Sequence, residues 1–330
     1  MNYYAEHAQQ LKRDLAQEIP ADELRHLHQK RPLLHAAIAA ANFAALIASG
    51  TAVVVLDRWY FWLPFAVVAG FAIFNCTVLL HEVVHRAVVR ESGDRLYRIL
   101  GLAYAIPSGI SASQFTRWHL DHHASLGSDE EDPKRHYLSP KRNARWLKAL
   151  YFTPALFPIY FRAAAKENAS YEPELQKRIA RERWATIAFQ LGVLALIAVI
   201  GGWFIAFKLY IVPVFFVFPI AFALNRLGQH YDIDPADPAK WSTLMKGSWF
   251  WDFAYLYSNY HLEHHYFPSV PFYNLPRLQK LLMPFYERRR IAAHSYGELV
   301  WQWLVLNKKP HANWEEASGV AARFSAPTAG

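Results

Sequence analysis

Thiol chemistry is almost absent from this sequence, which has a single cysteine, Cys76, among 330 residues. One cysteine cannot form an internal disulfide, and it cannot build the multi-thiolate sites that hold structural zinc or iron–sulfur clusters. Cys76 lies in the apolar run FAIFNCTVLL, so we expect a small buried side chain there. Metal chemistry in this chain must therefore rely on other side chains.

Charge is also scarce. Only 19% of the residues are charged, against about 25% in ordinary soluble domains, and 53% are hydrophobic. The formal net charge is +8, but the apolar residues are too many and too clustered for a nucleic-acid binder. A basic face directed toward anionic lipid headgroups explains this combination better. Residues 1–32 are polar and lack the short apolar core of a signal peptide.

The sequence contains long runs without charged residues. No Asp, Glu, Lys or Arg occurs in residues 33–56 or in residues 59–80. Each run exceeds the roughly 18–20 residues that a helix needs to cross a bilayer. Only Asp57 and Arg58 separate them, so we predict an antiparallel transmembrane hairpin.

A second hairpin is predicted in residues 184–224, where Lys208 is the single charged residue. Gly201 and Gly202 are the candidate turn residues between its two helices. Of the 35 Lys and Arg residues, only Arg58 and Lys208 fall at the predicted hairpin tips. Four crossings place all the others on one side, which the positive-inside rule assigns to the cytoplasm.

These patterns predict an all-α integral membrane protein, multi-pass, with four transmembrane helices in two hairpins and a cytoplasmic helical cap. Both termini and the functional site are expected in the cytoplasm. We predict one membrane-embedded domain over residues 1–330. Its segments are an N-terminal segment (1–32), the first hairpin (33–80), a cytoplasmic region (81–183), the second hairpin (184–224), a second cytoplasmic region (225–310) and a flexible tail (311–330).

Histidine clusters carry the chemistry. The sequence has 16 histidines, and eight of them fall in the short stretches HEVVH, HLDHH and HLEHH. Positions i, i+3 and i+4 of a helix share one face, so the rings of each H-x-x-H-H stretch can converge. A lone histidine is usually a solvated or core side chain, but three such clusters in one chain rarely arise by chance. The eight residues are His81, His85, His119, His122, His123, His261, His264 and His265.

The predicted topology brings these clusters together. The first follows crossing two, the second precedes crossing three, and the third follows crossing four, so all three lie on the cytoplasmic side. Eight imidazoles are too many for one zinc ion, which takes three or four protein ligands. They suit two metal ions, and His230, directly after crossing four, is a ninth candidate ligand.

Taken alone, HEVVH also matches the H-E-x-x-H motif of zinc metalloproteases, in which Glu82 would be the general base. That alternative leaves HLDHH and HLEHH unexplained. A non-catalytic membrane receptor or scaffold is another alternative, but it gives no reason for converging imidazoles.

The three clusters, separated by two predicted hairpins, resemble the histidine boxes of the integral-membrane fatty acid desaturase and hydroxylase superfamily. The surroundings of the third cluster, NYHLEHHYFPSVPFYNLPRL, extend the resemblance, which covers roughly residues 33–285. It implies a non-haem di-iron centre with two iron ions, held by the eight box histidines and by His230. It also implies a fatty acyl substrate in a bent tunnel leading to the metals.

Acidic and amide side chains near the boxes are expected to support the ligands. Glu82, Asp121 and Glu263 are candidates to accept hydrogen bonds from imidazole N–H groups. Some relatives hold a metal-bound water with an asparagine four residues before the extra histidine. Here that position is Arg226, and Asn225, one residue further back, is the corresponding candidate.

The resemblance implies O2-dependent desaturation of a lipid-linked or carrier-linked fatty acyl chain. Hydroxylation, carotenoid ketolation and alkene-forming decarboxylation share the box pattern and stay open as alternatives. The chain has no dinucleotide fingerprint and no H-P-G-G haem motif. We therefore expect electrons from a separate ferredoxin, rubredoxin or cytochrome b5 type donor with its reductase. A membrane lipid or acyl substrate is the other expected partner.

Overall fold

The fold is helical throughout the part of the chain that the structure, a computed structural model, describes: residues 3–89, 93–128 and 130–311. Within these ranges no β-strand occurs, and the one isolated bridge joins Met245 to His294. The predicted all-α class is therefore confirmed. Residues 312–330, nearly all of the predicted tail, lie outside the described ranges.

Three short helices form the N-terminal segment, and the second and third of them pack against helix α14 (Leu275–Arg288). Leu11 and Leu15 are buried, and Glu23 pairs with Arg277 at 2.5 Å. This segment is therefore packed against the C-terminal part of the chain. The helices are α1 (Tyr3–His7), α2 (Gln9–Glu18) and α3 (Ala21–Leu27).

The two uncharged runs form two long helices, α4 (Pro32–Val55) and α5 (Trp59–Val84), which pack against each other. The amide of Asn42 donates to the carbonyl of Ala72 at 3.0 Å. These two residues lie equally far from the turn at residues 56–58, which is the register of an antiparallel pair. Helix α5 carries the HEVVH cluster out of the apolar layer on its last turn.

A group of shorter helices follows, and one of them, which bears HLDHH, contacts the next long helix. Glu182 accepts hydrogen bonds from the Ser111 hydroxyl at 2.7 Å and from the Ser113 backbone N–H at 2.8 Å. Glu182 thus fixes the start of the helix that bears HLDHH. The helices are α6 (Asp94–Ala105), α7 (Ala112–Ala124), a π-helical turn (Lys134–Leu138), α8 (Arg145–Leu150) and α9 (Leu156–Asn168).

The second predicted hairpin is a continuous run of helical segments with one break. Gly202 has φ 79° and ψ 168°, a conformation that is essentially restricted to glycine. The Tyr210 hydroxyl donates to Gln190 Oε1 at 2.6 Å, although twenty residues of straight helix would separate them by about 30 Å. The chain therefore folds back at Gly202. The segments are α10 (Pro173–Ala206), a π-helical segment (Phe207–Val217) and α11 (Phe218–His230).

Three helical stretches in the described residues are long and apolar enough to cross a membrane, as expected of a membrane protein. The first two are α4 and α5. The third runs over 58 residues, Pro173–His230, and includes both helices of the second predicted hairpin. Lys208, just past the break, is buried and donates to the carbonyl of Leu56 at 3.0 Å, so the turn after α4 lies near the break at Gly202.

The C-terminal part packs against α11 through its helices α13 (His261–Tyr266) and α15 (Tyr296–Val300). Leu79, Leu227, Leu262 and Leu278 belong to one large buried core that joins α5 and α11 to α13 and α14. This core lies directly beside the histidine clusters. The remaining helices are α12 (Trp249–Ala254) and a π-helical turn (Trp301–Val305), with short 3-10 turns at Pro238–Lys240 and Phe272–Asn274.

Candidate metal centre

All nine histidines that the sequence analysis selected lie together in two adjoining groups. In each group, one nitrogen of every ring lies within 4.8 Å of one nitrogen of every other ring. The five-histidine group comprises His81, His85, His119, His123 and His264, and the four-histidine group comprises His122, His230, His261 and His265.

The sequence clusters do not map one to one onto the spatial groups. On α7, His119 and His123 point to the five-histidine group, whereas His122 points to the four-histidine group. Helix α13 shows the reverse division: His264 points to the five-histidine group, whereas His261 and His265 point to the four-histidine group. This division follows from the i, i+3, i+4 pattern, because the middle ring of each helix diverges from the i, i+4 pair.

The four-histidine group is arranged around His230. Its Nε2 atom lies 3.1 Å from Nε2 of His122, 3.1 Å from Nε2 of His261 and 3.3 Å from Nε2 of His265. All four rings are buried. Four ring nitrogens thus converge on one small volume shielded from water.

Outer contacts fix the direction of two of these rings. Nδ1 of His122 donates to Oδ1 of Asp132 at 2.8 Å, and Nδ1 of His230 donates to the carbonyl of Trp241 at 3.1 Å. A neutral imidazole with its proton on Nδ1 presents a bare lone pair at Nε2. Lone pairs that face each other at about 3 Å repel unless a cation lies between them, so this donor set fits a metal ion.

The five-histidine group shows the same convergence. Nε2 of His85 lies 2.8 Å from Nε2 of His119, and Nε2 of His264 lies 3.1 Å from Nε2 of His123. Nε2 of His81 is buried, and no described residue forms a hydrogen bond with it. An orphaned buried nitrogen beside four other imidazoles fits a second metal position.

Burial keeps these rings neutral. It lowers the pKa of His122 to about 4, with the neighbouring Asp132 acting in the opposite direction. It also holds the pKa values of His85, His119 and His264 well below their ordinary value. Neutral imidazole is the form that binds metal, so these histidines need not lose a proton before they become ligands.

Two residues next to the rings were missed by the sequence analysis. Asp132 is buried. Burial alone would raise its pKa, but His122 and other neighbours lower it, and the resulting pKa lies below the ordinary value. Lys134 Nζ lies 2.7 Å from Nδ1 of His119, and burial lowers the lysine pKa to about 7. The acidic run that ends at Asp132, ten residues after His122, was the available signal.

The three acidic residues inside the boxes have different surroundings. Glu82 is buried, its Oε1 lies 3.7 Å from Nδ1 of His81, and its Oε2 accepts the Phe272 backbone N–H at 3.0 Å. Asp121 instead accepts two hydrogen bonds from Arg117. Among the three, Glu82 is therefore the carboxylate that adjoins a ligand candidate.

Glu263, also inside a box, faces away from the rings. Its Oε1 accepts from the Gln279 amide at 2.8 Å and from the Tyr286 hydroxyl at 2.9 Å, both on α14. Burial raises its pKa to about 7. Glu263 thus anchors α13 to α14, which positions the third box indirectly.

A cavity of about 80 Å³ opens beside His81. Asn225 lies in its wall, where its Oδ1 accepts from Gln229 at 2.8 Å and its Nδ2 donates to Ser258 at 3.2 Å. Phe222, Tyr160 and Thr77 also line a second, mainly apolar cavity of about 30 Å³. The first cavity is lined by Phe74, Thr77, Val78, His81, Phe115, Trp118, Lys134, Leu138, Tyr160, Phe222, Asn225, Arg226, Gln229 and Ser258.

Comparison with known proteins agrees with this site. Residues 57–297 match the family described as fatty acid desaturase. The chain is 26% identical to the sphingolipid delta(4)-desaturase/C4-monooxygenase DES2 of Bos taurus over 306 residues, 90% of this chain and 88% of that protein. It is 25% identical to the human protein of the same name, over 75% of this chain and 73% of the relative. It is also 24% identical to dihydrorhizobitoxine desaturase of Bradyrhizobium elkanii, over 83% of each chain.

The family match covers most of the chain and all nine histidines, so the chain belongs to the fatty acid desaturase family. The predicted superfamily and the predicted oxidoreductase class are confirmed. HEVVH is one part of this family's histidine set, and its likeness to a zinc protease motif is incidental.

Proposed function

We propose that this fatty acid desaturase family member introduces a double bond into the hydrocarbon chain of a membrane lipid, with O2 as co-substrate. The observation that carries the proposal is the pair of adjoining histidine groups at the ends of the apolar helices α5 and α11. An unactivated C–H bond offers nothing to an acid, a base or a nucleophile, so the reaction requires a metal oxidant.

Two iron ions are the proposed metals. The five-histidine group would hold one of them and the four-histidine group the other. Imidazole suits iron as a ligand, and iron with O2 supplies the oxidising power that the side chains lack. Asp132 and the Trp241 carbonyl keep the Nε2 atoms of His122 and His230 directed inward. Glu82 is the proposed support of His81, and Asn225 is the proposed contact to a metal-bound water.

The cavity beside His81 is the proposed site of the reacting carbons. Phe74, Phe115 and Trp118 give it apolar walls that exclude water and hold a hydrocarbon chain. Asn225, Gln229 and Ser258 form a hydrogen-bonded polar corner. This corner would orient a polar group of the substrate, so that a fixed carbon lies next to the metals.

A complex lipid is the proposed substrate class, in preference to a soluble carrier-bound acyl chain. Several relatives are named sphingolipid desaturases, and they align over most of their length. Their identity to this chain is 24–26%, which leaves room for a different headgroup. The substrate would then reach the cavity from the membrane.

The proposed topology has four crossings, two termini in the cytoplasm and the metal centre on the cytoplasmic side. Support comes from the break at Gly202, which divides the third apolar stretch into two arms, and from the positive-inside distribution of Lys and Arg. A separate ferredoxin, rubredoxin or cytochrome b5 type protein with its reductase would supply the electrons. An acidic donor would suit the net charge of +8.

Expression in a host with a simple lipid profile, followed by mass spectrometry of its lipids, tests the function. We expect new lipids lighter than their precursors by two hydrogen atoms. The variant His264→Ala should abolish them, whereas His26→Ala, which changes an exposed histidine outside both groups, should not. Purified protein should contain iron, and zinc together with peptidase activity would overturn the proposal.

Hydroxylation is the second candidate, because the name of the DES2 relatives includes C4-monooxygenase as well as desaturase. The same experiment separates the two reactions. Products heavier by one oxygen atom indicate hydroxylation, and products lighter by two hydrogen atoms indicate desaturation.

A further inference from the structure

Helix α12, which leads into the third histidine box, exposes three large aromatic side chains. The exposed fractions are 82% for Trp249, 49% for Phe250 and 72% for Phe253. Neither the metal centre nor the cavity beside it uses these residues. Clustered apolar side chains at a surface mark a contact with a partner or with a membrane.

The opposite side of α12 is firmly packed. The rings of Trp251 and Tyr255 stack with their centroids 5.4 Å apart. The Tyr255 ring also contacts Phe71 at 5.5 Å and Phe74 at 5.7 Å, both on α5. The Tyr255 hydroxyl donates to the carbonyl of Ala221 on α11 at 3.2 Å. These contacts fix where α12 lies along two membrane-spanning segments.

The rise per residue of a helix gives the distance between these contacts and the histidines along the helix axes. Phe71 precedes His81 by ten residues on α5, and Ala221 precedes His230 by nine residues on α11, which correspond to about 15 and 14 Å of helix. Both residues lie within apolar stretches able to span a bilayer, and Phe71 is near the midpoint of α5. Tyr255 and the adjoining α12 therefore lie about 10–15 Å from the histidines on the membrane side.

Exposed charged residues lie directly beside the aromatic surface of α12. Lys246 pairs with Glu298 at 2.9 Å, and both side chains are exposed. Trp249 follows Lys246 by three residues, and Trp301, which is 56% exposed, follows Glu298 by three residues. Two neighbouring segments thus change from charge to aromatic surface within three residues, as chains do at a membrane interface.

We propose that α12 is inserted into the bilayer through Trp249, Phe250 and Phe253, and that the partner of this surface is the hydrocarbon of membrane lipids. Lipid is the occupant because the surface is continuous, at the same depth, with the spanning helices α5 and α11. Asp252 connects it to the metal centre, since its carboxylate accepts from Asn259 at 2.9 Å and from Tyr260 at 3.0 Å, immediately before His261. The proposed membrane contact is therefore joined by hydrogen bonds to the two residues that precede the third histidine box.

Site-directed spin labelling of the full chain in phospholipid nanodiscs tests the proposal. Cys76, the only native cysteine, is buried, so Phe253→Cys adds one reactive thiol. The collision rate of the label with O2, which dissolves in lipid, is compared with its collision rate with a water-soluble nickel chelate. Leu196→Cys on α10 is the lipid-facing control, and Lys280→Cys on α14 is the water-facing control.

We expect the label at residue 253 to match the one at residue 196, with O2 strongly favoured over the chelate. A ratio like that at residue 280 would overturn the proposal, because α12 would then face water. Exclusion of both reagents would overturn it as well, because a second copy or another protein would then cover the surface. Trp249→Cys provides an independent second site, and both side chains are exposed, so neither change removes core packing.

Discussion

At the scale of single residues, Asp132 lies within hydrogen-bond distance of a ligand candidate, at 2.8 Å, whereas Glu82 lies 3.7 Å from His81. Asp132 accepts the Nδ1 proton of His122 while its Oδ1 atom also accepts the backbone N–H of Lys134 at 3.0 Å. The backbone N–H of Lys134 thus orients the carboxylate, and the carboxylate orients the ring of His122. Outer contacts of this kind set the tautomer and orientation of a metal-binding histidine.

Replacing Asp132 by Asn should weaken metal retention. The amide keeps the size of the side chain but loses the charge that favours the proton on Nδ1, so we expect affinity at the four-histidine group to fall by about 10-fold or more. The measurement is the metal content of purified protein after graded exposure to a chelator.

Asp121→Asn is the matched control for this prediction. Its carboxylate pairs with Arg117 and contacts no histidine, so its metal retention should equal that of the unchanged protein. Equal losses in the two variants would contradict the role assigned to Asp132.

Phe222, the largest apolar side chain that the two cavities near the metal centre share, lines both of them. Phe222→Leu should join them and let the substrate chain extend further, which raises the share of products from longer chains. Mass spectrometry of lipids from the expression host measures this share. Phe216→Leu, on an exposed position of the preceding π-helical segment, should leave the product distribution unchanged.

Sequence reasoning found the candidate ligands because their spacing is local. The i, i+3, i+4 pattern of HLDHH and HLEHH is set by one helix turn, and it needs no knowledge of the fold. Asp132 and Lys134 escaped notice because their contacts depend on how the chain turns after α7. The sequence also could not predict which ring belongs to which group, since this depends on how α7 and α13 face each other.

At the scale of elements, the break at Gly202 determines the path of the longest apolar stretch. Its φ of 79° and ψ of 168° let α10 and the following π-helical segment lie side by side, as the contact between Tyr210 and Gln190 shows. The composition of residues 184–224 predicted a hairpin and its glycine turn. It could not predict the π-helical segment, which depends on packing against α5.

Gly202→Ala should destabilise the protein. A side chain at this φ and ψ costs about 1–3 kcal/mol, because only glycine adopts the conformation freely. Thermal unfolding of the purified protein in detergent should show a lower midpoint than that of the unchanged chain.

Gly192→Ala tests whether that loss comes from the backbone conformation. Gly192 lies in the same helix with no atom near the added methyl group and no positive φ. Alanine favours helix over glycine by about 1 kcal/mol, so this variant should be as stable as the parent or more stable. A lower midpoint for both variants would argue against strain at residue 202 as the cause.

At the scale of the whole molecule, the two histidine groups join elements that are distant in sequence. Helices α5, α7, α11 and α13 each supply at least one ring, so metal bound at the centre would hold membrane helices and cap together. Ligands that bind only the folded state stabilise it by mass action, by about 4 kcal/mol when present at a thousand times the dissociation constant.

Metal removal should therefore lower the stability of the entire chain. Facing Nε2 lone pairs at 2.8 to 3.3 Å would repel one another in the apoprotein. We expect the unfolding midpoint in detergent to fall on treatment with a chelator and to recover when ferrous iron is restored. An unchanged midpoint after verified metal loss would show that the groups are preorganised without metal.

The interleaving of α7 and α13 across both groups also has a consequence for biosynthesis. A ribosome completes the chain from the N-terminus, and the rings of residues 261, 264 and 265 emerge last. Both groups are incomplete until that helix has been made and has docked: before that, the five-histidine group lacks one ring and the four-histidine group lacks two. Complete metal loading would therefore be a late maturation step that follows docking of the third box.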